Sequence, residues 1–297
     1  MNHMEKIIYK DNYRIGILLM LASTVSMSLL AVIIKYERQF PLMEIVLFRS
    51  IPTIVIIPII LRKRKIFIYG NNKTFLLLRG FFGIIGMIAT FYAYTKIPIT
   101  EAIAIQQLNP FFVVILSYIV LKEKLYIQQF PIFLIAFIGG LMVIKPGVRI
   151  DLFPVIICLL GTISISAAHV TLRYLRLTDH SLVIVNYFAF ITSIISLGIL
   201  LKQGNIIIPK SIDLLILILL GFIALFGQIT LTKSYQMAKA NLVSLYGYFQ
   251  IVFAGIFGFL FFKEFPDIFS IIGVSLIIIS GYLNYKLSNN SITNEEC

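Results

Sequence analysis

The sequence predicts an all-α membrane protein with ten transmembrane helices, arranged as two inverted five-helix repeats. Three observations carry this reading. First, 59% of the 297 residues are hydrophobic, 13% are charged, and the mean hydropathy is +0.97. Soluble domains are about 45–50% apolar and about 25% charged, so this chain has too little polar surface to cover a soluble fold. Second, apolar runs of about 18 residues or more follow one another along the chain. Third, side chains other than Ile and Leu recur at an offset of 141 positions. Gly80, Phe81, Gly86, Tyr94, Phe112, Lys122, Glu123 and Gly140 meet Gly221, Phe222, Gly227, Tyr235, Phe253, Lys263, Glu264 and Gly281.

The expected spans are 15–34, 42–61, 75–95, 101–121, 128–144, 152–172, 181–201, 212–235, 241–262 and 267–285. The first follows a short polar tail and is long enough to remain as an anchor rather than be cleaved as a signal peptide. The second carries Glu44 and Arg49 and ends in the basic run Arg62–Lys65. The third has Arg79 near its start. The fourth opens at Thr100-Glu101, holds Gln106, Gln107, Asn109 and Pro110, and closes on Lys122-Glu123. The fifth ends before Lys145. The sixth is serine-rich and contains His169, the seventh holds Asn186, and the eighth holds Gln228 and Lys233. The ninth repeats the fourth, with Tyr246, Tyr248 and Gln250 before Lys263-Glu264. The tenth leads into a polar tail, 288–297, expected to be disordered. The runs are continuous rather than alternating, which argues against barrel strands.

The repeats bound two units, 14–147 and 150–287. Five spans is an odd number, so the second unit enters the bilayer from the opposite side. Such inverted repeats place a solute site near the midplane. Counted over the loops, Lys and Arg on the N-terminal side outnumber those on the other side about two to one, which puts both termini in the cytoplasm. The net charge of +12 is this orientation signal, so no nucleic-acid partner is implied. The partners expected are the lipid bilayer and a small-molecule solute, and monomer and homodimer are both left open. Two cysteines, Cys158 and Cys297, and three histidines imply neither a disulfide framework nor a metal site. No cofactor is called for. No GxxxxGK[ST] loop is present, which excludes ATP-driven transport by this chain alone. No catalytic triad or paired catalytic carboxylates stand out, so the chain is not read as an enzyme.

The chain resembles the drug/metabolite transporter superfamily, in particular its EamA-type ten-helix transporters. The resemblance rests on Leu78-Arg79-Gly80-Phe81-Phe82-Gly83, Tyr92-Ala93-Tyr94, Gln107-Leu108-Asn109-Pro110-Phe111, Leu121-Lys122-Glu123-Lys124-Leu125, Lys145-Pro146-Gly147 and Phe261-Phe262-Lys263-Glu264-Phe265-Pro266. It covers nearly the whole chain. It implies alternating access around a central cavity in a secondary transporter of an organic metabolite. The ending of the first repeat is most similar to S-adenosylmethionine and riboflavin uptake transporters, departing at Ala136 and Lys145. Exporters of amino acids or toxic compounds belong to the same superfamily and form the alternative. An intramembrane enzyme or receptor is more remote. Amino-acid usage rich in Ile, Lys and Asn, without Trp, points to a bacterial inner membrane.

Several side chains are candidates for binding the solute. Gln106, Asn109 and Pro110 share a helical face (i, i+3, i+4), either lining a cavity or satisfied by neighbouring helices. Tyr246 and Gln250 share another face, with Tyr248 one step off, and suit a heterocycle as well as they suit plain packing. Arg49 lies about two turns into its span, where a charge costs about 2.5–3.5 kcal/mol. It would bind an acidic group or pair with Glu44. His169 would contact solute, relay protons or serve structurally; Asn186 and Gln228 complete the set. Arg79 is expected to snorkel. Lys122-Glu123 and Lys263-Glu264 are read as gating or structural charges, recurring at opposite faces of the membrane.

Overall fold

Three of the long helices begin where the sequence offers a side-chain acceptor to an otherwise unsatisfied N–H. In the computed structural model, which describes residues 12–37, 39–97, 99–124, 127–144, 152–204, 206–263 and 267–295, Asn12 opens α1 (Tyr13–Tyr36), its side chain accepting from the Ile15 N–H at 3.1 Å. Asn72 opens α3 (Lys73–Lys96) by accepting from the Phe75 N–H. His180 opens α8 (Ser181–Gln203) through Nδ1, which accepts from the Leu182 N–H at 3.2 Å. The other long helices are α2 (Leu42–Lys63), α7 (Leu152–Leu175), α9 (Ser211–Met237) and α12 (Ile268–Glu295). α6 (Gln129–Ile144) is shorter. Among the described residues, eight stretches are long and apolar enough to cross a membrane; α6 and α5 (Asn109–Leu121) are apolar but shorter.

Three expectations change. The fourth span is not one kinked helix but two, α4 (Ile99–Gln106) and α5, with Pro110 in the first turn of α5. Proline lacks an N–H, and a first-turn N–H has no intrahelical acceptor, so Pro110 starts a helix at no hydrogen-bond cost. The ninth span is broken as well. α10 (Ala240–Val243) passes into a 3-10 segment, Ser244–Tyr248, before α11 (Phe249–Phe262). Finally, α12 continues through the polar stretch expected to be disordered, as far as Glu295. No Gly or Pro follows Gly281 to stop it.

Helix ends repeat as well. Lys122 ends α5 at φ 54°, ψ 31°, and Lys263 ends α11 at φ 54°, ψ 32°. Both lysines take the left-handed conformation that closes a helix, normally a glycine position.

The packing follows a paired plan. α1 lies against α9 and α11, while α7 lies against α3 and α5; α2 pairs with α8, and α6 with α12. Glycines permit the closest approach: a Cβ on Gly139 of α6 would sit 2.6 Å from the Gly273 carbonyl oxygen of α12. Small residues at such crossings let backbones meet where lipid provides no hydrophobic drive. The main core, around Ile57, Leu61, Leu172, Leu175, Val183 and Tyr235, joins α2, α7, α8 and α9 below the polar site.

Candidate functional site

Polar side chains from α2, α3, α5, α7, α8 and α9 gather within the bundle. From α2, Arg49, Ser50 and Thr53 face a cavity of ≈ 20 Å³ that Phe188 of α8 and Gln228 of α9 also line. A cavity needs about 10–15 Å³ to hold one water, so this one admits a water and no metabolite. Arg49 donates through Nη2 to Gln228 Oε1 at 3.3 Å. It does not pair with Glu44, whose carboxylate, 2% exposed, instead accepts from the Ile207 N–H at 3.1 Å. A separation of five turns the two side chains away from each other on one helix.

Arg79 does not snorkel. It lies about 9 Å into α3 at 1.5 Å per residue from Lys73, and is only 3% exposed. Its guanidinium stacks over the Phe188 ring at 4.4 Å from the centroid, and its Nε has no hydrogen-bond partner among the described residues. Phe188 thus borders both the Arg79 guanidinium and the cavity beside Arg49. Among the described residues, no carboxylate pairs with either arginine.

The break between α4 and α5 presents Asn109 to α7. Ser166 Oγ lies 2.6 Å from Asn109 Oδ1, which directs the amide nitrogen toward His169 Nδ1 at 3.4 Å. Tyr235 Oη lies 3.4 Å from the same nitrogen, and its ring stacks on His169 at 5.0 Å. An Nδ1 receiving these donors places the ring proton of a neutral imidazole on Nε2.

The remaining candidates separate from this cluster. Gln106 turns back to its own helix, its amide reaching the Ala102 carbonyl at 3.4 Å. Tyr246 and Tyr248 are buried, and their hydroxyls donate to the carbonyls of Gly281 (3.1 Å) and Gln107 (2.7 Å). They hold the 3-10 segment rather than line the cavity. Gln250 is exposed. Asn186 is buried, and its Oδ1 has no partner among the described residues.

A second polar network closes one end of the bundle. Glu123 accepts from Arg173 Nε at 3.1 Å and from the N–H groups of Ala240 (3.3 Å) and Asn241 (3.4 Å), so it caps α10. Asn241 returns a bond to the Lys124 carbonyl at 2.9 Å. Arg173 also donates to the Gln236 carbonyl, and Gln236 donates to that of Asp179. The Asp179 carboxylate in turn holds the N–H groups of Asn71 (2.6 Å) and Asn72 (3.1 Å). The repeated Lys-Glu pair singles out Glu123, but no sequence signal marked Asp179 or Gln236. Lys263 ends its helix as Lys122 does; Glu264 lies outside the described residues.

Comparison with known proteins agrees with this architecture. The sequence model of the EamA-like transporter family matches twice, at residues 14–145 and 152–286. The pseudopaline exporter CntI of Pseudomonas aeruginosa is 28% identical over 91% of this chain and 95% of its own. An S-adenosylmethionine uptake transporter of Rickettsia prowazekii is 28% identical over 90% of each chain. Solute carrier family 35 member G1 of Mus musculus is 30% identical over 90% of this chain and 77% of its own. One solved crystal structure superposes with a TM-score of 0.84 at 14% identity, covering 93% of this chain and 98% of that one. The protein described here is a multi-pass membrane protein that belongs to the EamA-like transporter family.

Proposed function

We propose that the chain is a secondary transporter that carries a small organic metabolite by alternating access, around the site formed by Arg49, Arg79, Asn109, His169 and Gln228. The observation that carries this reading is a charged cluster buried among the helices of a transporter-family member. Charges are kept at membrane depth where they line a solute path. The small cavity supports a moving mechanism, since an organic solute enters only if α2, α8 and α9 part. Two inverted repeats of five spans are supported by the double family match, the paired packing and the matching left-handed lysines. The basic bias supports cytoplasmic termini, which puts the Glu123–Arg173–Asp179 network at the cytoplasmic end as a gate. A bacterial inner membrane is supported by the amino-acid usage and by the bacterial relatives.

Uptake of S-adenosylmethionine is the first substrate to test, supported by the Rickettsia relative. The exporter relative in Pseudomonas aeruginosa favours outward transport of a metabolite as the second reading. Uptake of labelled S-adenosylmethionine above the empty-vector control in cells expressing the chain supports the first. A fall in cell content with release to the medium supports the second. Counterflow of a metabolite panel in liposomes holding the purified chain tests the transporter reading itself, and absence of flux for every solute overturns it. Asn109→Ala and Gln228→Ala variants that fold and transport like the parent would remove these residues from the site.

A further inference from the structure

We infer that the solute is an organic anion carrying two acidic groups, one held by Arg49 and the other by Arg79, which rests on the reading of this cluster as the transport site. The charge inventory is the starting point. Both arginines border Phe188 of α8, Arg49 through the cavity the two line and Arg79 over the ring, and no described carboxylate pairs with either. The described acidic residues nearest a helix middle are engaged elsewhere: Glu44 holds the Ile207 N–H, and Glu123 holds Arg173 and the start of α10. Like charges held together away from water raise the energy of the bundle. An anion that enters between them relieves both the repulsion and the lost hydration at once.

Geometry indicates two acidic groups rather than one. Each guanidinium is a planar fork with five N–H donors, suited to bidentate contact with a carboxylate or phosphate. Arg49 spends Nη2 on a neutral amide oxygen, Gln228 Oε1. Arg79 spends its face on the Phe188 ring and leaves Nε unbonded, so its edge donors are directed past the ring. Phe188 borders both forks. One carboxylate balances one guanidinium, whereas a molecule with two acidic groups balances both. The Asn109–His169 pair adds neutral polar groups to the same cluster. S-adenosylmethionine fits this arrangement poorly. It has one carboxylate against an ammonium and a sulfonium, so it brings net positive charge to a site that already holds two cations.

The test uses the purified full chain in detergent and follows its unfolding temperature. The probes are acetate, succinate, citrate, inorganic phosphate and S-adenosylmethionine, with chloride matched for ionic strength. Succinate and citrate are expected to raise the unfolding temperature in a saturable way, and acetate is not. A phosphate effect equal to that of succinate overturns the inference, because phosphate is a single acidic centre. Arg49→Gln and Arg79→Gln are each expected to abolish the succinate response. In anion-free buffer they are expected to unfold no lower than the parent, since each removes an uncompensated cation. Arg79→Lys retains charge without the fork, and a reduced response is expected. The inference is overturned if succinate and citrate stabilise no more than acetate, if S-adenosylmethionine alone stabilises, or if both glutamine variants respond like the parent. Counterflow keeps the two readings separate. Flux of S-adenosylmethionine without any anion response retains the transporter and overturns the dianion. An anion response without flux of any anion retains the site and overturns the transporter.

Discussion

Replacing Glu123 with Gln isolates what its charge contributes at the closed end of the bundle. The glutamine keeps one oxygen, so it retains an acceptor for one of the two N–H groups, Ala240 on Oε1 or Asn241 on Oε2, and loses the other. The negative charge beside Arg173 is lost. Both partners of that pair are nearly buried, with side chains 9% and 8% exposed. Breaking such a pair from one side costs about 3–5 kcal/mol, because the remaining charge is left uncompensated. The oxygen retained by Gln places the variant at the low end, about 3 kcal/mol. One kcal/mol moves the midpoint by about 2–4 °C for chains of 150–250 residues, and by less in larger ones, so a fall of about 6 °C is expected. Thermal unfolding of Glu123→Gln, Arg173→Met and the double variant provides the test. The double variant should lose much less than the two single losses added together, since it contains no stranded charge. Additive losses, or a Glu123→Gln loss below about 1 kcal/mol, the size of an exposed ion pair, would refute the reasoning. The energy would then lie in the α10 cap and not in the pair.

Other consequences are as direct. Lys122→Gly should raise stability by up to about 1 kcal/mol, seen as a higher unfolding temperature, because glycine adopts the left-handed conformation at no steric cost. Tyr248→Phe removes the donor to the Gln107 carbonyl without changing the packing, and should lower stability by about 1–3 kcal/mol, the cost of a buried acceptor left unsatisfied. His180 gives a pH dependence. Burial, and then the positive charges of Lys233 and Arg64, hold its pKa below the usual histidine value, and only the neutral ring accepts from the Leu182 N–H. The unfolded chain therefore takes up the proton first, so this stabilisation is complete above about pH 6.5 and is lost as the pH falls below it. Unfolding temperatures measured across that range should fall less in His180→Asn, whose cap does not titrate.

Much of the fold is legible because a membrane demands uninterrupted apolar length, and α1, α8 and α9 stand where their runs stand. The helix breaks are less legible. Pro110 announces an interruption, but whether a proline kinks one helix or begins another depends on how the carbonyls before it are satisfied. At the second break no proline appears, and the sequence SLYGY is compatible with a plain helix. This single difference misplaces a face. Tyr246 and Gln250 align at 3.6 residues per turn, whereas the 3-10 segment runs at 3.0, leaving both tyrosines buried and Gln250 exposed. Arg79 shows the other limit. Its position near a helix start reads as a snorkelling residue, and its burial is decided by Phe188, more than a hundred residues away. Arg49, Gln228, Asn109 and His169 stand out by residue type and depth, while Asp179 lies in a connection and carries no local signal.

The two breaks are physically connected, and this links the fold to the proposed motion. A broken helix leaves backbone carbonyls that no turn above or below satisfies, and inside a bilayer these must find partners in the protein or face water. At the first break the Gln107 carbonyl is taken by the Tyr248 hydroxyl, from the last residue of the 3-10 segment. Those two residues occupy equivalent positions of the 141-residue repeat, so each break meets the other. The α10 end of the second break is held by Glu123, which extends from the end of α5. The two broken spans are thereby tied at two points, Tyr248 to Gln107 at the breaks and Glu123 to the start of α10. A movement that pulls Glu123 away from α10 therefore loads the Tyr248–Gln107 contact, and releasing that contact exposes a carbonyl one residue from Leu108 and two from Asn109. Opening of the end and loosening of the site wall are in this way mechanically coupled through short segments, without any long helix having to bend.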